Sequence, residues 1–312
     1  MGGQKISAIV LSVLLLSSCG ETTEPAPPDG SSELAPSISQ YTLSPLFRPD
    51  VIYGLDDRLE YYQIQNPFLH ELMDSTVALV QKHALKPLSH GRYKVSGPQY
   101  GSAYGLCLSE PYYEQPSSAF CSGFLVSPDL IATAGHCIRS LQDCQNTAFL
   151  FGFALPAPAQ VTEIFEDNQV FFCSEVIESD IAANGSDYSL VRLDRPVMGR
   201  PPLRMRRAGE MAVGEDIFVL GHPAGLPIKY SGGAKVRTVK SEYYVANLDT
   251  YGGNSGSAVF NSQSGEVEGI LVRGETDFVS RNGCRVSNIC TNLGCRGEDF
   301  TKISHITRLL PQ

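Results

Sequence analysis

The sequence predicts an all-β protein, and three observations carry that expectation. Its apolar residues fall mostly in short runs of strand length. These runs are bounded by Gly, Pro and Ser, and 29 Gly and 20 Pro are enough to punctuate many turns. The one stretch with a helical period lies at 301–310, where Ile303, Ile306, Leu309 and Leu310 recur at helical spacing and predict a closing helix.

In chain order, the first expected strand lies within 74–81, which contains Val77-Ala78-Leu79-Val80. Residues 119–136 alternate apolar stretches with turn residues and predict a strand pair. Further strands are expected at 148–153, 169–177, 188–193, 216–220, 234–239, 243–247, 257–260 and 266–272, before a last extended segment at 300–303. Setting aside the first 50 residues leaves about 260, enough for one sizeable core, so 51–312 is read as one domain.

The first 50 residues differ in character. Lys5 precedes an apolar run from Ile6 to Leu16 that is short for a bilayer span, the layout of a secretory signal peptide. Leu16-Ser17-Ser18-Cys19 resembles a bacterial lipobox. That resemblance implies a leader over 1–18, a lipid anchor on Cys19 and export to a bacterial cell envelope. With Gly20 following, it implies the outer membrane if the host has one. The alternative is an ordinary signal peptide with a cysteine at that place. Residues 19–50, rich in Pro, Ser, Thr and Glu, read as a flexible tether or propeptide.

The formal charge is −9, from 33 acids against 24 bases, which disfavours a nucleic-acid partner because phosphates would be repelled. No nucleotide loop, dinucleotide fingerprint or His-Glu-x-x-His motif is present, so neither cofactor nor metal is expected.

The stretch Tyr251-Gly252-Gly253-Asn254-Ser255-Gly256-Ser257 places one serine among small residues. A serine hydroxyl is a weak nucleophile that needs a base and N–H donors where an oxyanion will form. A base is offered by Thr133-Ala134-Gly135-His136-Cys137. The two stretches resemble the histidine and serine motifs of the chymotrypsin-like serine endopeptidases, and Gly-Asn-Ser-Gly-Ser is the form found in the bacterial glutamyl-endopeptidase (V8-like) branch.

The resemblance implies two six-stranded antiparallel β-barrels with a C-terminal α-helix and a triad across the cleft between them. Ser255 would be the nucleophile, His136 the base, and the N–H groups of Gly253 and Ser255 the oxyanion donors. Asp167, Asp180, Asp187, Asp194 and Asp216 compete for the third place. Asp187 is chosen because Tyr188-Ser189-Leu190-Val191 after it resembles the family's aspartate motif; Asp180 is the runner-up. Val51-Ile52 followed by Asp56-Asp57-Arg58 resembles the mature start of V8-like enzymes, so 48–51 is either a processing region or the approach to an unprocessed first strand.

Beyond Cys19 the chain has eight cysteines, an even number that behind an export signal implies disulfides. The family resemblance implies a Cys121–Cys137 bridge. At least one of Cys284, Cys290 and Cys295 should pair within its own loop, and a zinc site of these three with His305 is disfavoured by their spacing and the oxidising location. The arginines from Arg200 to Arg207 are read as a solvated linker between barrels, with contact to an anionic membrane surface as the alternative.

For the specificity pocket, the resemblance names Asp249, Thr250, Leu271, Arg273 and Gly274. Glutamate-specific relatives carry a threonine where Thr250 stands but a histidine where Leu271 stands. Asp249 occupies the position of the aspartate that receives Arg or Lys in trypsin-like enzymes. Basic residues are therefore expected to be favoured and acidic ones disfavoured, unless Asp249 faces solvent and the pocket takes small or apolar side chains. The expectation is a monomeric serine endopeptidase acting on protein or peptide substrates and tethered to a membrane. A catalytically silent binding lipoprotein and a serine esterase are its rivals.

Overall fold

The computed structural model describes residues 1–2, 52–54 and 56–311. The chain divides into two units, 1–36 and 37–312, and every strand and helix named below belongs to the second. Residues 3–18 of the leader, Cys19, the tether and Val51 lie outside the described residues.

Twelve of the strands among the described residues build two barrels. The first six are β1 (Thr76–Gln81), β2 (Cys121–Ser127), β3 (Leu130–Thr133), β4 (Thr147–Phe151), β5 (Val170–Ile181) and β6 (Asp187–Leu193). They close in the order β6-β3-β2-β1-β4-β5, with β5 pairing back to β6. The other six are β7 (Asp216–Gly221), β8 (Lys229–Val239), β9 (Tyr243–Ala246), β10 (Ala258–Asn261), β11 (Val267–Arg273) and β12 (Glu298–Lys302). Their order is β8-β7-β10-β11-β12-β9, and β8 pairs with β9 to close a second barrel. All pairings in both barrels are antiparallel. This is the chymotrypsin-like plan, and each strand overlaps an expected one.

Alternation along the strands explains why the barrels adhere. Ile217, Val219, Val259 and Leu271 join a core with Val236 and Phe300 inside the second barrel. Their neighbours Phe218, Leu220, Phe260 and Ile270 belong instead to the cluster that holds Phe124, Phe149 and Leu190 of the first. Phe218 and Phe260 stack at 4.7 Å between ring centres. Each such buried side chain contributes roughly 1.5–3 kcal/mol, so the apolar period of two sets both barrel and interface.

The connection between barrels carries the arginine cluster, but it is not simply solvated. Leu203 and Met205 are buried, and Arg206 forks onto the buried Glu268 at 2.5 and 2.8 Å. The closing helix is also shorter than its periodicity suggests, covering only Ser304–Thr307. Thr301 and Lys302 pair with Ile270 and Gly269 in β12, so ladder hydrogen bonds override the local period there. Ile303, Ile306 and Leu310 still reach the core.

Four disulfides join Cys107–Cys284, Cys121–Cys137, Cys144–Cys173 and Cys290–Cys295. The expected bridge at the histidine loop is present, and Cys290–Cys295 closes within its own loop. Oxidised sulfurs offer no thiolate to a metal, and His305 Nε2 lies 3.0 Å from Glu242 Oε2. Cys121 and Cys137 are 16 residues apart, so replacing both with alanine should cost about 3 kcal/mol by the loop-entropy argument. A denaturant midpoint unchanged by that double replacement would contradict this.

Candidate active site

The histidine leaves the end of β3, and Asp187 opens β6. The two strands pair with Ser189 opposite Thr133, which brings the end of one beside the start of the other. Gly135 makes the approach possible, since a Cβ there would fall 2.3 Å from the Asp180 carbonyl and 3.1 Å from Asp187 Oδ1. Asp187 Oδ2 then lies 2.8 Å from His136 Nδ1, and its Oδ1 accepts from the His136 backbone N–H at 3.1 Å. The carboxylate is an acceptor, so Nδ1 carries the hydrogen and Nε2 keeps its lone pair.

The histidine side chain is 30% exposed and the aspartate 6%, which leaves the reactive edge open and the orienting group enclosed. Sequence reasoning missed Thr301, whose hydroxyl accepts from Asp187 N at 3.1 Å and donates to Asp187 O at 2.9 Å. It ties the start of β6 to the second barrel. No local signal distinguishes this threonine from any other strand threonine.

The competing acids are engaged elsewhere. Asp180 accepts from Ser186 Oγ at 2.6 Å, Asp194 and Asp167 pair with Arg195 at 2.9 and 3.6 Å, and Asp216 pairs with Lys235.

Ser255 stands three residues before β10. Its carbonyl accepts from Ser122 N at 2.8 Å and lies 3.7 Å from Cys137 Sγ, so the serine loop is held against the segment that carries His136. Among the described residues the Ser255 hydroxyl has no hydrogen-bond partner. Catalytic contacts of this kind commonly tighten only around substrate.

Gly253 takes φ +94°, a region that favours glycine, and a Cβ there would lie 2.7 Å from Gly225 N. The Gly252 carbonyl accepts from Ala224 N at 2.5 Å, and the Asn254 carbonyl accepts from Ser257 N at 2.8 Å. In a planar trans peptide the N–H points opposite to the carbonyl, so these bonds turn the Gly253 and Ser255 N–H groups the other way. Neither N–H has an acceptor among the described residues.

Asn254 is buried within the serine loop. Here the loop is ordered by the His222–Gly225 turn and by Ser122, whose hydroxyl donates to Gly253 O at 2.9 Å and accepts from His222 N at 3.0 Å. Burial drives the His222 imidazole down to about 3, so it stays neutral and packs on Phe153.

A cavity of about 220 Å³ opens beside Ser255, walled by Thr250, Leu271, Arg273, Gly274 and Glu298 among others. Four of the five expected pocket residues are there. Asp249 is the exception and a correction: it is buried away from this cavity, and its Oδ1 accepts from Tyr53 N at 2.8 Å. The amino-terminal segment claims it, which motif spacing cannot reveal. Arg273 flanks the cavity, with Nε on Asp299 at 2.9 Å and Nη2 on Gly185 O at 2.8 Å.

Asp249 also lies close enough to Asp57 for the two carboxyls to interact electrostatically. Desolvation, with the other acids of the cluster adding repulsion, pushes Asp57 up to about 7 and Asp249 well above its usual range. A carboxyl raised in the folded state stabilises it in acid and loses that contribution as pH rises through the folded pKa. Asp249→Asn should therefore raise stability at about pH 8, with the gain shrinking towards about pH 5. Thermal unfolding at both pH values checks this; a gain larger in acid would reverse the assignment.

Residues 121–270 match the family model described as a trypsin-like peptidase domain. A glutamyl endopeptidase of Bacillus licheniformis is 29% identical over 152 residues, covering 46% of this chain and 46% of that protein. A glutamyl endopeptidase of Staphylococcus aureus is 25% identical over 166 residues, covering 50% of this chain and 48% of its own length. The chain thus spans about half the length of the curated relatives it matches. A solved structure described as Glu endopeptidase in complex with MPD aligns over 83% of this chain and 96% of that one, at 16% identity and a TM-score of 0.48.

Proposed function

We propose that the protein is a serine endopeptidase acting on protein or peptide substrates, working through His136, Asp187 and Ser255. The observation that carries the reading is the 2.8 Å contact from His136 Nδ1 to Asp187 Oδ2 beside a serine loop with two unengaged N–H groups. Ser255 Oγ attacks the scissile carbonyl carbon while His136 Nε2 takes its proton, and the carbonyl oxygen becomes an oxyanion accepted by the N–H groups of Gly253 and Ser255. Collapse of the tetrahedral species breaks the C–N bond, and His136 gives the proton to the leaving amine. Water, deprotonated by the same imidazole, then hydrolyses the acyl-enzyme ester and restores the serine. Asp187 orients the ring and stabilises the transient imidazolium.

The test is turnover of matched peptide and ester substrates, with cleavage sites then mapped on a peptide library. Internal peptide-bond cleavage that is lost in Ser255→Ala supports the reading. Ester turnover without peptide cleavage would make the protein an esterase, and neither activity would make it a silent binding protein.

The Leu16-Ser17-Ser18-Cys19 motif supports a lipid anchor on Cys19, with outer-membrane sorting in a two-membrane host. Cys19→Ser should move the protein from the membrane fraction to the soluble one or stall its processing. A wild type that fractionates as soluble, with an intact tether and a mature terminus beyond Cys19, would contradict the anchor.

A further inference from the structure

The cavity beside Ser255 contains an acid that the motif positions do not anticipate. Glu298, at the start of β12, is only 5% exposed, yet it lines the cavity. Oε2 accepts from Thr250 Oγ1 at 2.8 Å, and Oε1 accepts from Glu275 N at 3.0 Å. Both donors are neutral. A carboxylate has about four acceptor sites, so these bonds hold the group in place without saturating it.

Space for Glu298 comes from Gly274, where a Cβ would lie 1.7 Å from Oε2. The cations nearby are committed to a different acid. Arg273 donates to Asp299 Oδ2 at 2.9 Å, and Arg296 reaches the same oxygen at 2.5 Å. The other carboxyl-bearing walls of the cavity are Glu275 and Asp277. A nearly buried carboxylate hydrogen-bonded only by neutral donors is costly, and a cation delivered into the cavity offsets that cost.

We propose that Glu298 is the specificity-determining carboxylate of this cleft and receives the guanidinium or ammonium of an arginine or lysine residue just before the scissile bond. The inference rests on Ser255 being the nucleophile, because that is what makes the adjoining cavity the one filled by this side chain. An acidic side chain is rejected twice over. It would meet three carboxylates, and the Thr250 hydroxyl that could have received it already serves Glu298. The glutamyl name of the relatives therefore does not transfer to this pocket.

Burial lifts Glu298 to about 7, with Asp277 adding repulsion, while Glu275 N–H, the Thr250 hydroxyl and Arg296 pull it down. Only the ionised form attracts a cation. Cleavage after arginine should therefore gain activity as pH rises through about 7, over and above the gain seen with an alanine substrate.

The experiment compares peptides differing only in the residue before the scissile bond (Arg, Lys, Gln, Glu or Ala) on wild type, Glu298→Gln and Asp249→Asn. The wild type should favour Arg and Lys over Gln by on the order of 10²-fold in kcat/KM, and Glu298→Gln should abolish most of that ratio together with the extra pH limb. Asp249→Asn should leave the ratio intact. Benzamidine, a small amidinium cation, is titrated in parallel against Ser255→Ala with and without Glu298→Gln, which reads the pocket independently of catalysis. Benzamidine binding that needs Glu298 supports the cation pocket even if turnover fails, so a failure of the catalytic reading is told apart from a failure of the pocket. Faster cleavage after Glu than after Arg, a ratio unchanged in Glu298→Gln, or no Glu298-dependent benzamidine binding would overturn it.

Discussion

Ser255→Ala and His136→Ala should each lower kcat for peptide hydrolysis by about 10⁶-fold, and the double variant should be scarcely slower than either single one. The two residues perform one proton transfer, so removing either removes the step. With no alkoxide to form, the imidazole held at 2.8 Å from Asp187 has nothing to deprotonate; with no base, the hydroxyl remains a weak nucleophile. The residual rate would come from the Gly253 and Ser255 N–H groups and from substrate positioning. Losses that multiply in the double variant would mean that the residues act independently, and the triad would not be the catalytic unit.

The second large effect is expected at Asp187. Asp187→Asn should reduce kcat by about 10⁴-fold with little change in fold stability. The asparagine amide can donate to Nδ1, which moves the imidazole hydrogen to Nε2 and leaves no lone pair facing Ser255. Asp180→Asn, by contrast, alters a carboxyl hydrogen-bonded to Ser186 and should leave kcat within a few-fold of wild type. Rates measured on the two purified variants decide the matter, and the opposite ranking would move the orienting role to Asp180.

The legible part of the sequence is the part whose physics is local. Strand period and turn residues are local, and eleven of the twelve barrel strands fall on apolar runs between Gly, Pro and Ser, while β12 is expected only as a last extended segment at 300–303. The histidine and serine loops are local too, because each compresses several functions into a few consecutive residues. The pocket is different. Asp249 lies six residues before Ser255 and shares its neighbourhood in sequence, yet Tyr53, nearly two hundred residues earlier, captures its side chain. Glu298 lies 43 residues after Ser255 in a strand with no distinguishing pattern, yet the pairing of β9 with β12 brings it to the cavity. Thr301 and the His222 turn were hidden for the same reason, since each acts across a barrel contact. The helical period at 301–310 misled because apolar residues at that spacing can also alternate out of a strand into a single turn of helix.

Covalent labelling of the native protein by a fluorophosphonate, with the modified residue located by mass spectrometry, puts the triad to its sharpest test. Such a probe reacts only with a serine whose hydroxyl is activated by a base and whose phosphoryl oxygen finds N–H donors. A working triad predicts stoichiometric labelling at Ser255, lost in Ser255→Ala and slowed severely in His136→Ala. Absence of labelling in folded wild-type protein, or labelling at another serine, would contradict it.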